Sequence, residues 1–178
     1  MSPFPYRRVM HHANNSPTLS DHIHAEHENL RPHVQMLLTT AHAVGVVPTA
    51  VLRDMVKEVL EFLLRELEPH AQLEDGVLYG AVERALGAPQ SADTMRRDHV
   101  EVSTYAQELS NLHGGLVSGH EPDDAMLRDL RRVLYGLHAV VRLHFSKEEE
   151  IYATIVSTRL SAAEQNLVLS DLLSHSGH

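Results

Sequence analysis

The sequence predicts an all-α fold: an up-down-up-down four-helix bundle with an N-terminal arm and a short C-terminal fifth helix. Three observations carry that reading. Apolar residues recur at three- and four-residue steps through four long stretches, the period of a helix with one buried face. Gly and Pro are gathered into a few breaks between those stretches. Leu, Val and Ala supply the apolar mass while aromatics make up 4% and Trp is absent, a balance that favours helix packing over a β-sandwich.

Residues 1–18 carry Pro, Asn, His and Ser without apolar periodicity and read as an arm; the bundle is expected over 19–158, and 159–178 form the short helix and tail. The first helix, 19–44, sets Ile23, His27, Leu30, Val34, Leu37, Leu38 and Ala41 on one stripe, with Gly45 as its cap and Pro48 barring continuation. The second, 49–86, carries Leu52, Met55, Val59, Leu63, Leu67, His70, Glu74 and Leu78, and stops at Gly87-Ala88-Pro89. Pro69 inside it frees the carbonyl of Arg65, so a kink beside His70 is expected, either opening space for a ligand or purely structural.

Ser91 suits the N-cap of the third helix, 92–113, which carries Met95, His99, Val102, Ala106 and Leu109 before a loop opening at Gly114-Gly115. Pro122, Asp123 and Asp124 suit the first turn of the fourth, whose stripe runs Leu127, Leu130, Leu134, Leu137, Val141, His144, Glu148, Ile151 and Ile155. Ser161-Ala162-Ala163-Glu164 fits a capping box for the fifth, with Leu167, Leu169, Leu172 and Leu173 following.

At 178 residues the chain is the size of one domain with a substantial core. Net charge is −9 and the Lys and Arg residues are scattered, so no basic stripe offers itself to nucleic acid or to an anionic membrane. No apolar run approaches the ~20 residues of a membrane span, and the first residues lack the apolar core of a signal peptide. The absence of Cys excludes disulfides, thiolate metal sites and iron–sulfur clusters. A cytoplasmic protein is expected.

The outlying count is 15 histidines. Each of the four stripes is interrupted by polar residues where the bundle axis should be: His27 on the first helix, His99 on the third, and His-x-x-x-Glu pairs, His70/Glu74 and His144/Glu148, on the second and fourth. Residues four apart stand ~40° apart, one turn up, so each pair presents an imidazole and a carboxylate side by side. Counted from the loops at ~1.5 Å per residue, the six fall within a slab one or two helical turns thick. Burying two carboxylates beside imidazoles calls for a compensating cation. Four imidazoles and two carboxylates exceed one tetrahedral zinc and suit two ions bridged by the glutamates. The all-nitrogen-and-oxygen set favours iron, with manganese or zinc behind it.

The order His27, His70-xxx-Glu74, His99, His144-xxx-Glu148 resembles the haemerythrin HHE pattern. So do the surroundings Glu26-His27-Glu28-Asn29-Leu30, Pro69-His70 to Leu78-Tyr79, Arg97-Asp98-His99, and His144-Phe145 to Ile151-Tyr152. The similarity covers roughly residues 19–158. It implies an oxo- or hydroxo-bridged centre of two iron ions that reacts with dioxygen, hydrogen peroxide or nitric oxide. Oxygen-carrying members of the family have a second histidine one turn after the third-helix ligand, and here Ser103 stands at that place. Simple reversible oxygen carriage is therefore not what the resemblance implies for this chain.

Tyr152, two turns beyond His144, and His24, one turn before His27, are candidates to fill the gap; Tyr152 is otherwise a core residue with a hydrogen-bonded hydroxyl. Glu66, one turn before His70, is a candidate to stand behind the ligands. His22, His33, His42, His113, His120 and His138 fall off the seam or near loops and read as solvated, as do Glu149 and Glu150. The favoured function is peroxide decomposition of a catalase or peroxidase kind. The alternatives are a module that binds dioxygen or nitric oxide, or senses iron or redox state, without turnover, and a zinc-loaded structural bundle.

Overall fold

The computed structural model describes residues 17–119 and 121–175, and among these the regular structure is all helical. Helix α1, Leu19–Ala43, opens with a capping box: the Asp21 amide donates to Thr18 Oγ1 at 3.1 Å and the Thr18 amide to Asp21 Oδ2 at 2.9 Å. Thr18, at the end of the predicted arm, is thus the cap; residues 1–16 of that arm lie outside the described residues. Gly45 follows α1 with φ +71°, the left-handed conformation that ends helices.

Helix α2 spans 49–86 without a break but not in one geometry. Two π turns, Leu63–Leu67 and Glu74–Leu78, separate α-helical Thr49–Phe62, Glu68–Leu73 and Tyr79–Leu86. Pro69 has no amide to give to the ladder, and it lies in the first turn after one of these wide turns, where the amide of Glu68 bonds the carbonyl of Leu63. The interruption predicted at Pro69 is therefore a π turn. Gly87, at φ +61°, ends α2.

Helix α3 is Asp93–Val117. It differs from expectation at both ends. Ala92, not Ser91, is the cap residue, with no side-chain cap, and Gly114 and Gly115 lie inside the helix instead of opening a loop. A Cβ at Gly115 would displace the Met126 methyl group, the mobile end of a flexible side chain. Helix α4 spans 124–159, with Asp123 Oδ1 accepting from the Met126 amide at 2.8 Å and a π turn, Glu148–Tyr152, between Asp124–Lys147 and Ala153–Arg159. Helix α5, Ala162–His175, begins with the predicted box, the Ser161 amide donating to Glu164 Oε2 at 2.8 Å.

Helices α1 and α3 each pack against both α2 and α4, and α5 packs on α1 and on the Glu74–Leu78 turn. The apolar interior is in two parts. One gathers Val34, Leu37, Leu52, Val59, Leu134 and Val141; the other gathers Ile23, Leu78, Tyr79, Met95, Val156 and Leu172. His27, Glu74, His144 and Glu148 are buried between them. No helix of the described residues is long and apolar enough to cross a membrane.

The π turns change which residues are inside. A π turn holds one residue more than an α turn, so every later side chain is displaced by one position. In α4 the buried positions pass from the predicted Ile151 to Tyr152 and Val156, with Ile155 partly buried beside them: Ile151 is 51% exposed, Val156 fully buried. Val156→Ala is accordingly expected to cost about 2 kcal/mol, from lost burial plus the cavity left. Ile151→Ala is expected to stay within ~0.5 kcal/mol. Urea unfolding midpoints of the two variants check the shifted register.

Candidate metal centre

The structure brings all six predicted residues into one layer, with the imidazole Nε2 atoms turned inward on Glu74 and Glu148. His70 Nε2 stands 2.9 Å from Glu74 Oε1, and His27 Nε2 stands 3.1 Å from Glu148 Oε2 and 3.8 Å from Glu74 Oε1. From the other side, His99 Nε2 is 3.3 Å and His144 Nε2 3.6 Å from Glu74 Oε2, with 3.0 Å between the two nitrogens. Two groups of atoms result, each within 4.8 Å of one another: His27, His70, Glu74 and Glu148 in one, Glu74, His99 and His144 in the other. Glu74 belongs to both.

Behind the imidazoles runs a second set of carboxylates. Each of the four long helices has an acid next in sequence to its inward-facing histidine or glutamate, and that acid serves the neighbouring helix. Glu26 Oε2 of α1 lies 3.3 Å from His70 Nδ1 of α2, and Asp75 Oδ1 of α2 lies 3.1 Å from His99 Nδ1 of α3. Asp98 Oδ2 of α3 lies 3.2 Å from His144 Nδ1 of α4, and Glu149 Oε1 of α4 lies 2.9 Å from His27 Nδ1 of α1. The ring closes on itself. A carboxylate on Nδ1 keeps a proton there and leaves the Nε2 lone pair free to bind a metal. Arg31 donates to both oxygens of Glu149 at 2.7 and 2.8 Å, and Lys147 is ion-paired with Asp98, so two members of the ring are themselves fixed. The Phe145 ring stacks on His27 at 4.0 Å between centroids.

Several readings of the sequence change here. Glu149 does not face solvent; it holds His27. His22 is largely covered and sits 3.6 Å from Glu26. Glu66 is not behind the ligands but pairs at the surface with His33 at 3.3 Å. The His24 side chain is 61% exposed, 3.7 Å from Glu149 and outside the inner set. Tyr152 turns its hydroxyl to the Ser91 carbonyl at 3.3 Å. The hydroxyl that does enter the centre is that of Tyr79, which donates to Glu148 Oε1 at 2.7 Å and lies 3.4 Å from His144 Nε2 and 3.5 Å from His99 Nε2. Tyr79 stands five residues past Glu74, where an α-helix would turn it aside and the π turn brings it in. His120 lies outside the described residues.

The donor set fits a cation. Among the described residues, His27 Nε2, His70 Nε2, both oxygens of Glu74 and Glu148 Oε2 are buried, close to one another, and without hydrogen-bond geometry. Unsatisfied buried polar atoms are costly, and a convergent set of them is what a metal ion satisfies. The family model for the haemerythrin HHE cation-binding domain matches residues 18–156. The chain belongs to the haemerythrin HHE family. No curated protein and no solved structure matches it.

The charges of this HHE centre are strongly coupled. Burial disfavours the charge on Glu74, but the imidazoles around it, His70 foremost, outweigh burial and hold its carboxyl well below the usual range. Glu148 moves the other way, raised by burial and by the charge on Glu74. Burial works against charged imidazoles, yet the facing carboxylates lift His70 to about 10 and His144 to about 9, and raise His27. Burial and the two glutamates push the Tyr79 hydroxyl up as well, keeping it a donor.

These shifts set a pH dependence. A histidine whose folded pKa is raised stabilises the fold fully below its unfolded value of 6.5, and that stabilisation is lost as pH climbs through the folded value. Chelator-treated protein is therefore expected to lose melting temperature steadily between pH 6.5 and about 10, the window of His144 and His70. Metal-loaded protein should show the reverse trend, because protons compete with metal for Nε2 as pH falls. Thermal unfolding of the two forms across this range checks both slopes.

Proposed function

We propose that His27, His70, Glu74, His99, His144 and Glu148 hold two iron ions, and that the protein decomposes hydrogen peroxide there. Two donor groups sharing Glu74 support two ions with a bridging carboxylate. Imidazole and carboxylate donors with no thiolate support iron ahead of manganese or zinc. The short connections between the four long helices support the up-down-up-down order expected of a bundle with a metal site in its core.

The observation that carries the peroxide reading is the approach to the centre. A cleft between α2 and α3 reaches His70, His99 and His144, and Ser103, exposed and small, lines it one turn from His99. A reactant has a path to the edges of these three imidazoles that a larger side chain at 103 would narrow.

Iron, when bound, supplies Lewis acidity and reversible electron transfer to an O–O bond. The chain's own residues do the rest. The carboxylates on Nδ1 fix tautomer and orientation, and Glu148 is positioned by the Tyr79 hydroxyl. That hydroxyl also lies within 3.5 Å of the inner nitrogens of His99 and His144, as a hydrogen-bond donor at the centre. Phe145, Val141 and Leu67 keep the surroundings apolar, which strengthens each charge interaction inside.

Iron analysis and oxygen evolution after addition of hydrogen peroxide test the reading together. The expected result is about two iron ions per chain, oxygen released in proportion to iron, and loss of both in His70→Ala. A stable, reversible dioxygen or nitric oxide adduct without peroxide turnover would instead make the protein a binding or sensing module. Zinc without iron would make it a structural bundle.

A further inference from the structure

The cleft between α2 and α3 has a volume of about 370 Å³. Hydrogen peroxide needs roughly the space of two waters, ~60 Å³ at the liquid share of each. The cleft is thus about sixfold larger than the oxidant proposed above, and lies in the range of pockets that bury small organic ligands. It is also long. Its wall follows α3 from His99 to Ser110, about 16 Å of helix at ~1.5 Å per residue. Helix α2 packs on α3 mainly through Thr49–Phe62, and the cleft extends from there along the Leu63–Leu67 turn toward the metal centre.

The two ends differ in chemistry. At one end stand the edges of His70, His99 and His144; along the remainder Leu60, Leu63, Leu67, Val102, Ala106 and Val141 make most of the wall, with Gln107 and Ser110 at its α3 edge. No Lys or Arg lines the cleft, whereas Glu68 and Asp75 do. Before reaching the imidazoles at the inner end, an anionic head group would meet like charge at Glu68 and Asp75, while an uncharged one meets no such penalty.

We propose that the cleft binds uncharged, unbranched aliphatic hydroperoxides, with the alkyl chain along the leucine and valine walls and the oxygen end at the imidazole edge. This rests on the peroxide-decomposing reading and names a substrate class for the same centre. An elongated, mainly apolar cleft ending at imidazole edges matches a single alkyl chain with one oxygen head. A compact or charged molecule would leave most of it unused.

Calorimetric titration of the full-length, iron-containing protein with 1-decanol tests the binding without chemistry, since the alcohol has the chain and an oxygen head but no O–O bond. Decanoate is titrated in parallel. The expected result is one decanol per chain with a negative heat-capacity change, and weaker binding of decanoate. Ala106→Phe fills the channel, and Leu64→Lys places a charge on its wall at a residue 58% exposed and so tolerant of change. Each is expected to weaken decanol by roughly tenfold or more, about 1.4 kcal/mol, with iron content unchanged.

No decanol binding, binding indifferent to both variants, or tighter binding of decanoate would each overturn the proposal. Hydrogen peroxide turnover without decanol binding would remove the cleft assignment alone. Decanol binding without peroxide turnover would remove the peroxide reading and leave the apolar site standing.

Discussion

Two glutamates buried in the middle of an apolar bundle govern what surrounds them. Taking an unpaired carboxylate out of water costs on the order of several kcal/mol even after relaxation, and Glu74 and Glu148 lie at 3% and 0% exposure with two of their oxygens within reach of the same imidazoles. The fold tolerates them because positive charge is supplied at the same place, by a metal or by protons on His27, His70 and His144. Each imidazole is in turn held by a carboxylate from the helix beside it. Breaking one link leaves a histidine free to turn, so the ring of Glu26, Asp75, Asp98 and Glu149 ties the orientation of each helix to the next.

The layer also explains the division of the interior. Side chains such as Val34 and Leu134 fill one end, and Ile23, Leu78 and Val156 the other. The two His-x-x-x-Glu helices change geometry at the centre: the carbonyls of Glu74 and Glu148 both accept five-residue hydrogen bonds, from the amides of Tyr79 and Ala153. A wide turn placed at a site-forming glutamate on each of two helices fits the common association of such turns with functional positions. One turn brings the Tyr79 hydroxyl onto Glu148; the other brings Tyr152 and Val156 inside in place of Ile151.

Most of the helical pattern and all six inner residues were legible in the sequence, because the period of an α-helix decides which residues share a face. His27, His70, His99 and His144 interrupt apolar stripes at matching levels, and no contact needed to be known to see it. The period fails where the helix is not α. Ile151 was expected inside and Val156 was not, because the turn at Glu148 inserts a residue that leaves no mark in composition. Tyr79 was missed for the same reason. The outer carboxylates were hidden differently: each sits next to a ligand in sequence yet acts on another helix, a relation visible only once the four helices are side by side. The signal available was the repeated neighbour pair, Glu26-His27, Glu74-Asp75, Asp98-His99 and Glu148-Glu149. Gly114 and Gly115 read as loop because glycine ends helices more often than it lies inside them.

The layer is proposed to be a two-metal site built around a shared Glu74. A crystal of the protein as purified, measured above and below the iron absorption edge, tests it most directly. Two anomalous peaks are expected between Glu74 and Glu148, one beside His27 and His70 and the other beside His99 and His144. A single peak, or iron bound elsewhere with the layer closed on its own hydrogen bonds, would contradict it.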